Sequence, residues 1–192
     1  MAEKKPEQEL FFKDQSEWEK WLAANFTQLQ GVWLKFAKKA SGISSVTYAE
    51  ALDVALCYGW IDGQSKSLDG TFYIQKFTPR RAKSMWSKRN IGKAEEFITA
   101  GKMKPAGLAA IEAAKADGRW QQAYDSPSNM QMSDDFKAEL DKHPKAKAFF
   151  EKLDKANRYA VLWRIQTARK AETRKARIET LTAMLGRGEK IH

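Results

Sequence analysis

The chain has 192 residues, of which 43% are hydrophobic and 11% aromatic, enough large side chains for a proper core and too many for a disordered chain. It has no apolar run near the roughly 20 residues that cross a bilayer, no secretory pattern in the opening MAEKKPEQELFF, and one cysteine, Cys57, which excludes an internal disulfide and a multi-cysteine metal centre. The formal charge is +10, and the expected compartment is the cytoplasm.

ELFFKD is a short apolar run and predicts a strand. Ser16 with Glu19 three residues on has capping-box spacing, opening a helix over about 16–26 with Trp18, Trp21 and Leu22 on one side. GVWLKFAKK alternates, Val32, Leu34 and Phe36 against Trp33 and Lys35, the pattern of a half-buried strand. Thr47 and Glu50 form a second capping box, and YAEALDVALCYG is a helix with Gly59 placed to end it. Its carboxylates, Glu50 and Asp53, sit in the first turns, where the helix dipole favours them. In WIDGQSKSLDGTFYIQKF two extended runs flank Leu68-Asp69-Gly70, a hairpin signal. After PRRAKSMW a helix is expected over about 87–100, stopped by Gly101. Pro105 then opens a helix that Gly118 stops. YDSPSNMQMS, residues 124–133, is polar and aperiodic and reads as a linker.

The remainder is helical in pattern. Ser133 or Asp134 caps DFKAELDKH, Pro144 starts KAKAFFEKL, and Asp154 caps a long helix from about 155 to 185 that Gly186 ends. Val161, Ile165 and Ala168 share one side of it, whereas Ile178, Leu181 and Leu185 share another. A helix that switches faces must bend or pack against two elements. The expected class is α+β: a small antiparallel sheet packed by helices over 1–123, then an all-helical segment over 134–192.

The charge is uneven. Residues 70–104 carry 9 basic and 2 acidic side chains, net +7, and residues 137–192 carry 15 and 7, net +8; between Asp69 and Glu95 there is no acid. Such blocks point to an anionic ligand, acidic protein partner or nucleic acid, and a solvated basic face has the same composition. The two histidines, His143 and His192, have no nucleophile or acid at catalytic spacing, and no zinc motif, phosphate loop or dinucleotide fingerprint is present. No metal and no cofactor is expected. Asp62, between Trp60 and Gly63, is the one acid–base candidate; the competing reading is a turn-forming Asp-Gly. FTPRRAKSMWSKRN sets Arg80, Arg81, Lys83, Lys88 and Arg89 around Trp86. If residues 80–87 wind as helix, Arg80, Lys83, Ser84 and Ser87 share a face that suits a phosphate or carboxylate. Trp86 either stacks on a ring or packs in the core while the charges are solvated. The candidate ligand set is therefore Arg80, Arg81, Lys83, Ser84, Trp86, Lys88 and Asn90. Glu172 and Arg169 form an expected structural ion pair in the last helix.

ALCYGWIDGQ, FTPRRAKSMWSKRN, GRW and the long run FFEKLDKANRYAVLWRIQTARKAETRKARIETLTAMLGRGEK resemble the bacteriocin-protection, YdeI/OmpD-associated family, over about residues 10–190. The resemblance implies a role in survival against bacteriocins and cationic antimicrobial peptides and a link to an outer-membrane porin; some relatives are described as periplasmic. It carries no catalytic residue. A chain at +10 repels cationic peptides within about a Debye length, so action through an anionic ligand or partner is the expected route. The first expectation is thus a non-enzymatic binding protein with a role in stress or antimicrobial resistance. A nucleic-acid binder using both basic blocks and an enzyme using Asp62 are the alternatives.

Overall fold

The computed structural model describes residues 8–27 and 30–192. Contacts divide the chain into two compact units: residues up to Ser84 together with Asn90–Gln121, and Met85–Arg89 together with Gln122–His192. No helix among the described residues is long and apolar enough to cross a membrane.

The first unit runs β1 (Glu9–Phe11), α1 (Gln15–Asn25), β2 (Val32–Ala37), α2 (Tyr48–Cys57), β3 (Trp60–Ser67) and β4 (Phe72–Pro79). It continues through most of α3 (Lys88–Thr99) and through α4 (Pro105–Ala116). The sheet order is β1-β2-β4-β3. β2, β4 and β3 are antiparallel, and β1 joins the edge in parallel with β2. A register shift between Asp62 and Ser65 marks a bulge, at Gly63 and Gln64, where a residue without a side chain relaxes the strand. Alternation along β2 sends Leu34 and Phe36 inward with Phe77 of β4, all 0–1% exposed, where Trp18 packs against Phe77 with ring centroids 5.9 Å apart. Two buried indoles are satisfied: Trp18 Nε1 donates to the Ala51 carbonyl at 3.1 Å and Trp60 Nε1 to the Phe26 carbonyl at 2.8 Å.

The capping box at Thr47 and Glu50 forms with both halves in place. At α1 the structure corrects the sequence expectation. Asp14, not Ser16, is the cap: its side chain accepts from the Glu17 N–H, and Glu17 reaches back to the Lys13 N–H, both at 2.9 Å. Aspartate and serine cap equally well, and a box displaced by two residues has the same outward pattern. Gly59 ends α2 at φ 73°. Gly107 of α4 lies so close to α2 that a Cβ would stand 2.3 Å from the Cys57 carbonyl oxygen.

The second unit holds α5 (Asp134–Lys142), α6 (Pro144–Glu151), α7 (Lys155–Gln166) and α8 (Ala171–Gly186). Phe136, Leu140, Phe150, Val161, Ile178 and Leu185 belong to one core. The long helix expected over 155–185 is two helices broken at 167–170, which is how the apolar stripe changes sides. The charged stretch between them makes the corner. Arg174 donates Nη1–H to the Ile165 carbonyl at 3.0 Å, and Arg177 donates to the Arg164 carbonyl, so α8 satisfies the open C-terminal carbonyls of α7. The expected Arg169–Glu172 pair is not the tie used. Arg174 instead forks onto Asp135 at 2.6 and 2.8 Å and reaches Ser133 Oγ at 2.8 Å, while Glu172 is exposed. At the end of the chain the His192 N–H donates to Asn157 Oδ1 at 3.0 Å, as the Ile191 N–H does at 3.2 Å.

Candidate functional site

The sequence-derived residues are divided between the two units. Arg80, Arg81, Lys83, Ser84 and Asn90 fall in the first, Trp86 and Lys88 in the second. Residues 80–87 do not wind as a helix, so the shared helical face does not form. Instead Arg80 donates its backbone N–H to the Gly59 carbonyl at 2.9 Å, and Ser84 Oγ accepts from the Arg81 N–H at 3.1 Å. The side chains of Arg81 and Lys83 are exposed. Trp86 is 1% exposed and Asn90 8%, so neither indole face is open to a ring in this conformation. Lys88 is held by Asp125 at 2.8 Å, and that hydrogen bond lowers the Asp125 carboxyl below its ordinary range. Asp62 Oδ2 accepts from the Tyr48 hydroxyl at 2.8 Å, a carboxylate–phenol bond that joins β3 to α2.

Arg119, from the GRW string, was not singled out by spacing. It is 5% exposed. Its Nε bonds both oxygens of Asp117 at 2.8 and 2.7 Å, and Nη1 donates to the Ser84 carbonyl at 2.8 Å. Its buried guanidinium is thus paired in the way burial requires, and it fixes the turn that presents Arg81 and Lys83.

In the second unit two grooves run along α7. One groove, of about 850 Å³, is lined by Met130, Met132, Lys155, Arg158, Tyr159 and Leu162. Another, of about 680 Å³, shares Pro127, Lys155 and Tyr159 and continues to Trp163, Arg164 and His192. Lys155, Arg158, Tyr159 and Leu162 stand at helical spacing on one stripe of α7, and Ala156, Ala160, Trp163 and Arg164 on the next, so the two grooves adjoin at Lys155 and Tyr159 to form a trough that wraps α7. The walls are mostly apolar, the rim carries Lys155, Arg158 and Arg164, and among the described residues no Asp or Glu side chain lines either groove. Arg158 lies over the Phe150 ring at 4.9 Å, which orients its guanidinium at low cost in rotamer freedom. Tyr159 donates to the Asp125 carbonyl at 3.4 Å, and burial pushes its phenol up to about 12, so it enters the trough as a neutral hydroxyl. Tyr124 meets Trp163 edge-on at 5.9 Å. Residues 124–133 supply a wall of this trough; the methionines at 130 and 132 were the apolar signal within that polar stretch.

In the first unit a smaller polar cavity of about 480 Å³ is bounded by Glu19, Asp53, Cys57 and Lys104. Burial pushes the Cys57 thiol up to about 11, which suppresses the reactive thiolate. Among the described residues no group of His, Cys, Asp and Glu is placed to hold a metal ion.

Fold and grooves define a two-unit α+β and helical protein with a concave surface along α7 that is cationic at the rim and apolar within. The chain belongs to the family described as Domain of unknown function (DUF8412), which matches residues 10–110, and residues 129–188 match the family described as Bacteriocin-protection, YdeI or OmpD-Associated. The second match contains α5 to α8 and nearly all of the trough. No curated protein and no solved structure matches the chain.

Proposed function

We propose that this is a non-enzymatic binding protein of antimicrobial or bacteriocin resistance, and that its α7 trough holds a ligand or partner segment with an apolar body and an anionic group. The observation that carries the reading is the pairing of an apolar trough with Lys155, Arg158 and Arg164 on its rim and, among the described residues, no Asp or Glu side chain in its lining. An apolar body gains from burial against Met130, Met132, Tyr159 and Leu162, and the methionines adapt to its shape. The rim guanidiniums then select for a carboxylate or phosphate. Charge sets the direction of selectivity: at +10 the protein disfavours cationic peptides, so protection acts through an anionic component. Arg81 and Lys83, exposed on the Arg119-fixed turn, are proposed as a separate anion-holding pair in the first unit, where Ser84 Oγ accepts from the Arg81 N–H; Lys88 is engaged with Asp125.

Calorimetric titration with sodium dodecanoate below its micelle concentration tests the reading, with dodecyl maltoside as the uncharged control. The wild-type chain is expected to bind dodecanoate, and Lys155→Glu with Arg158→Glu to bind it at least about tenfold more weakly, because each reversal replaces attraction by repulsion at short range. Both residues are exposed, so circular dichroism of the variant should match the wild type. Equal binding of the maltoside, or undiminished binding by the folded double variant, overturns the proposal.

A further inference from the structure

We propose that the outward face of the β-sheet in the first unit binds single-stranded nucleic acid. This surface is separate from the α7 trough and does not depend on it. With Leu34, Phe36 and Phe77 turned to the core, strand alternation puts Phe11, Trp33, Lys35, Lys66, Phe72 and Lys76 on the opposite face, and the register confirms it: Phe11 pairs with Lys35, Trp33 with Lys76, Lys66 with Ile74.

On this face lysine heads sit on aromatic rings. Lys35 Nζ is 4.1 Å from the centroid of Phe72, and Lys66 and Lys76 Nζ are 4.5 and 5.6 Å from that of Trp33. Phe72 pairs across the sheet with Ala37, whose small side chain lets Phe72 reach Phe11 edge-on at 6.0 Å. Phe11 is 41% exposed. Glu9, in register with Trp33, is the one carboxylate of this face among the described residues.

A cation lying over a ring at an exposed site is held weakly, and a phosphate competes for it directly. A ligand that brings phosphates and planar rings together satisfies both halves of the surface: the ammoniums move to phosphates, and the exposed Phe11 with the half-buried Phe72 offers the stacking platform, while Trp33, 5% exposed, is the floor beneath Lys66 and Lys76. A single strand has that chemistry, because its bases are free to splay; a duplex hides them. An acidic peptide would take the ammoniums and leave the rings uncovered, so it is the competing occupant.

The test is fluorescence anisotropy of a labelled oligothymidylate of about 12 nucleotides with the full chain, between about 50 and 200 mM salt. Binding is expected to weaken steeply with salt. Changing Lys35, Lys66 and Lys76 together to Gln should reduce the log–log salt slope by about 2, since each lost phosphate contact on a single strand removes about 0.7. Phe11→Ala should weaken binding about tenfold and leave the slope unchanged, the mark of a lost stack rather than a lost charge. If the triple variant fails to fold, Lys66→Gln alone should lower the slope by about 0.7. No binding at the lowest salt, a wild-type slope in the folded lysine variant, or displacement by polyglutamate as effective as by unlabelled oligothymidylate overturns the proposal.

Discussion

Replacing Arg174 by alanine removes the group that makes the corner between α7 and α8. Four hydrogen bonds go with it: the fork onto Asp135, the bond to Ser133 Oγ and the bond to the Ile165 carbonyl. Asp135 is 47% exposed and Arg174 27%, so solvent screens the ion pair and it contributes about 1 kcal/mol. The Ile165 carbonyl, at the open end of α7, loses a charge-assisted partner for about another 1 kcal/mol. A total near 2 kcal/mol should appear in urea unfolding of the full chain followed by far-UV circular dichroism, as an earlier midpoint for the second unit. The pH dependence adds a sign. The hydrogen bond from Arg174 holds the Asp135 carboxyl far below its ordinary range. A depressed acid contributes stability that is fully present above its unfolded pKa and is lost as pH falls through the folded one. The gap between wild type and Arg174→Ala should therefore be constant above about pH 5 and narrow below it. A change under about 0.5 kcal/mol, or a gap that does not depend on pH, refutes the reasoning.

Gly107→Ala should destabilise the first unit by about 1–3 kcal/mol in the same urea assay, because its Cβ would meet backbone of Cys57 at 2.3 Å; an unchanged midpoint would show that α4 shifts freely. Cys57, pushed up to about 11 by burial, should react with a disulfide reagent at pH 8 about a hundredfold more slowly than a free thiol and at the ordinary rate once the chain is unfolded in urea. Tyr48→Phe removes the bond to Asp62 and should cost about 1 kcal/mol. Asp62→Asn on that background should add little, since the two act as one pair; a large further loss would give Asp62 a role outside that pair.

The sheet and helices were legible because their signals are local. Thr47 with Glu50, Gly59, Asp69-Gly70, Pro105 and Pro144 each act within a few residues, and each works where the pattern put it. Ser16 misled because Asp14 and Glu17 offer the same spacing two residues earlier. The break at 167–170 was visible only as a change of apolar face; what decides between bending and breaking is the pair of arginines that close α7 from α8, and their targets lie 9 and 13 residues away. The trough was hidden for a related reason. Its floor is ordinary helix periodicity in α7, and its wall is a stretch that composition marks as linker. A groove exists only once Met130 and Met132 come alongside Tyr159 and Leu162, and no spacing rule encodes that approach. Charge was legible as sequence blocks, but its pairing was not: Lys88 belongs to Asp125, and the lysines over Trp33 and Phe72 come from three different strands.

The central claim is that an anionic amphiphile sits along α7. The most direct measurement is an amide proton–nitrogen correlation spectrum of the full chain titrated with sodium dodecanoate. The account predicts saturable shifts concentrated at residues 128–132 and 155–164, largest near Arg158 and Tyr159 and abolished by the Lys155→Glu, Arg158→Glu double variant. Shifts centred elsewhere, or none up to the micelle concentration, contradict it.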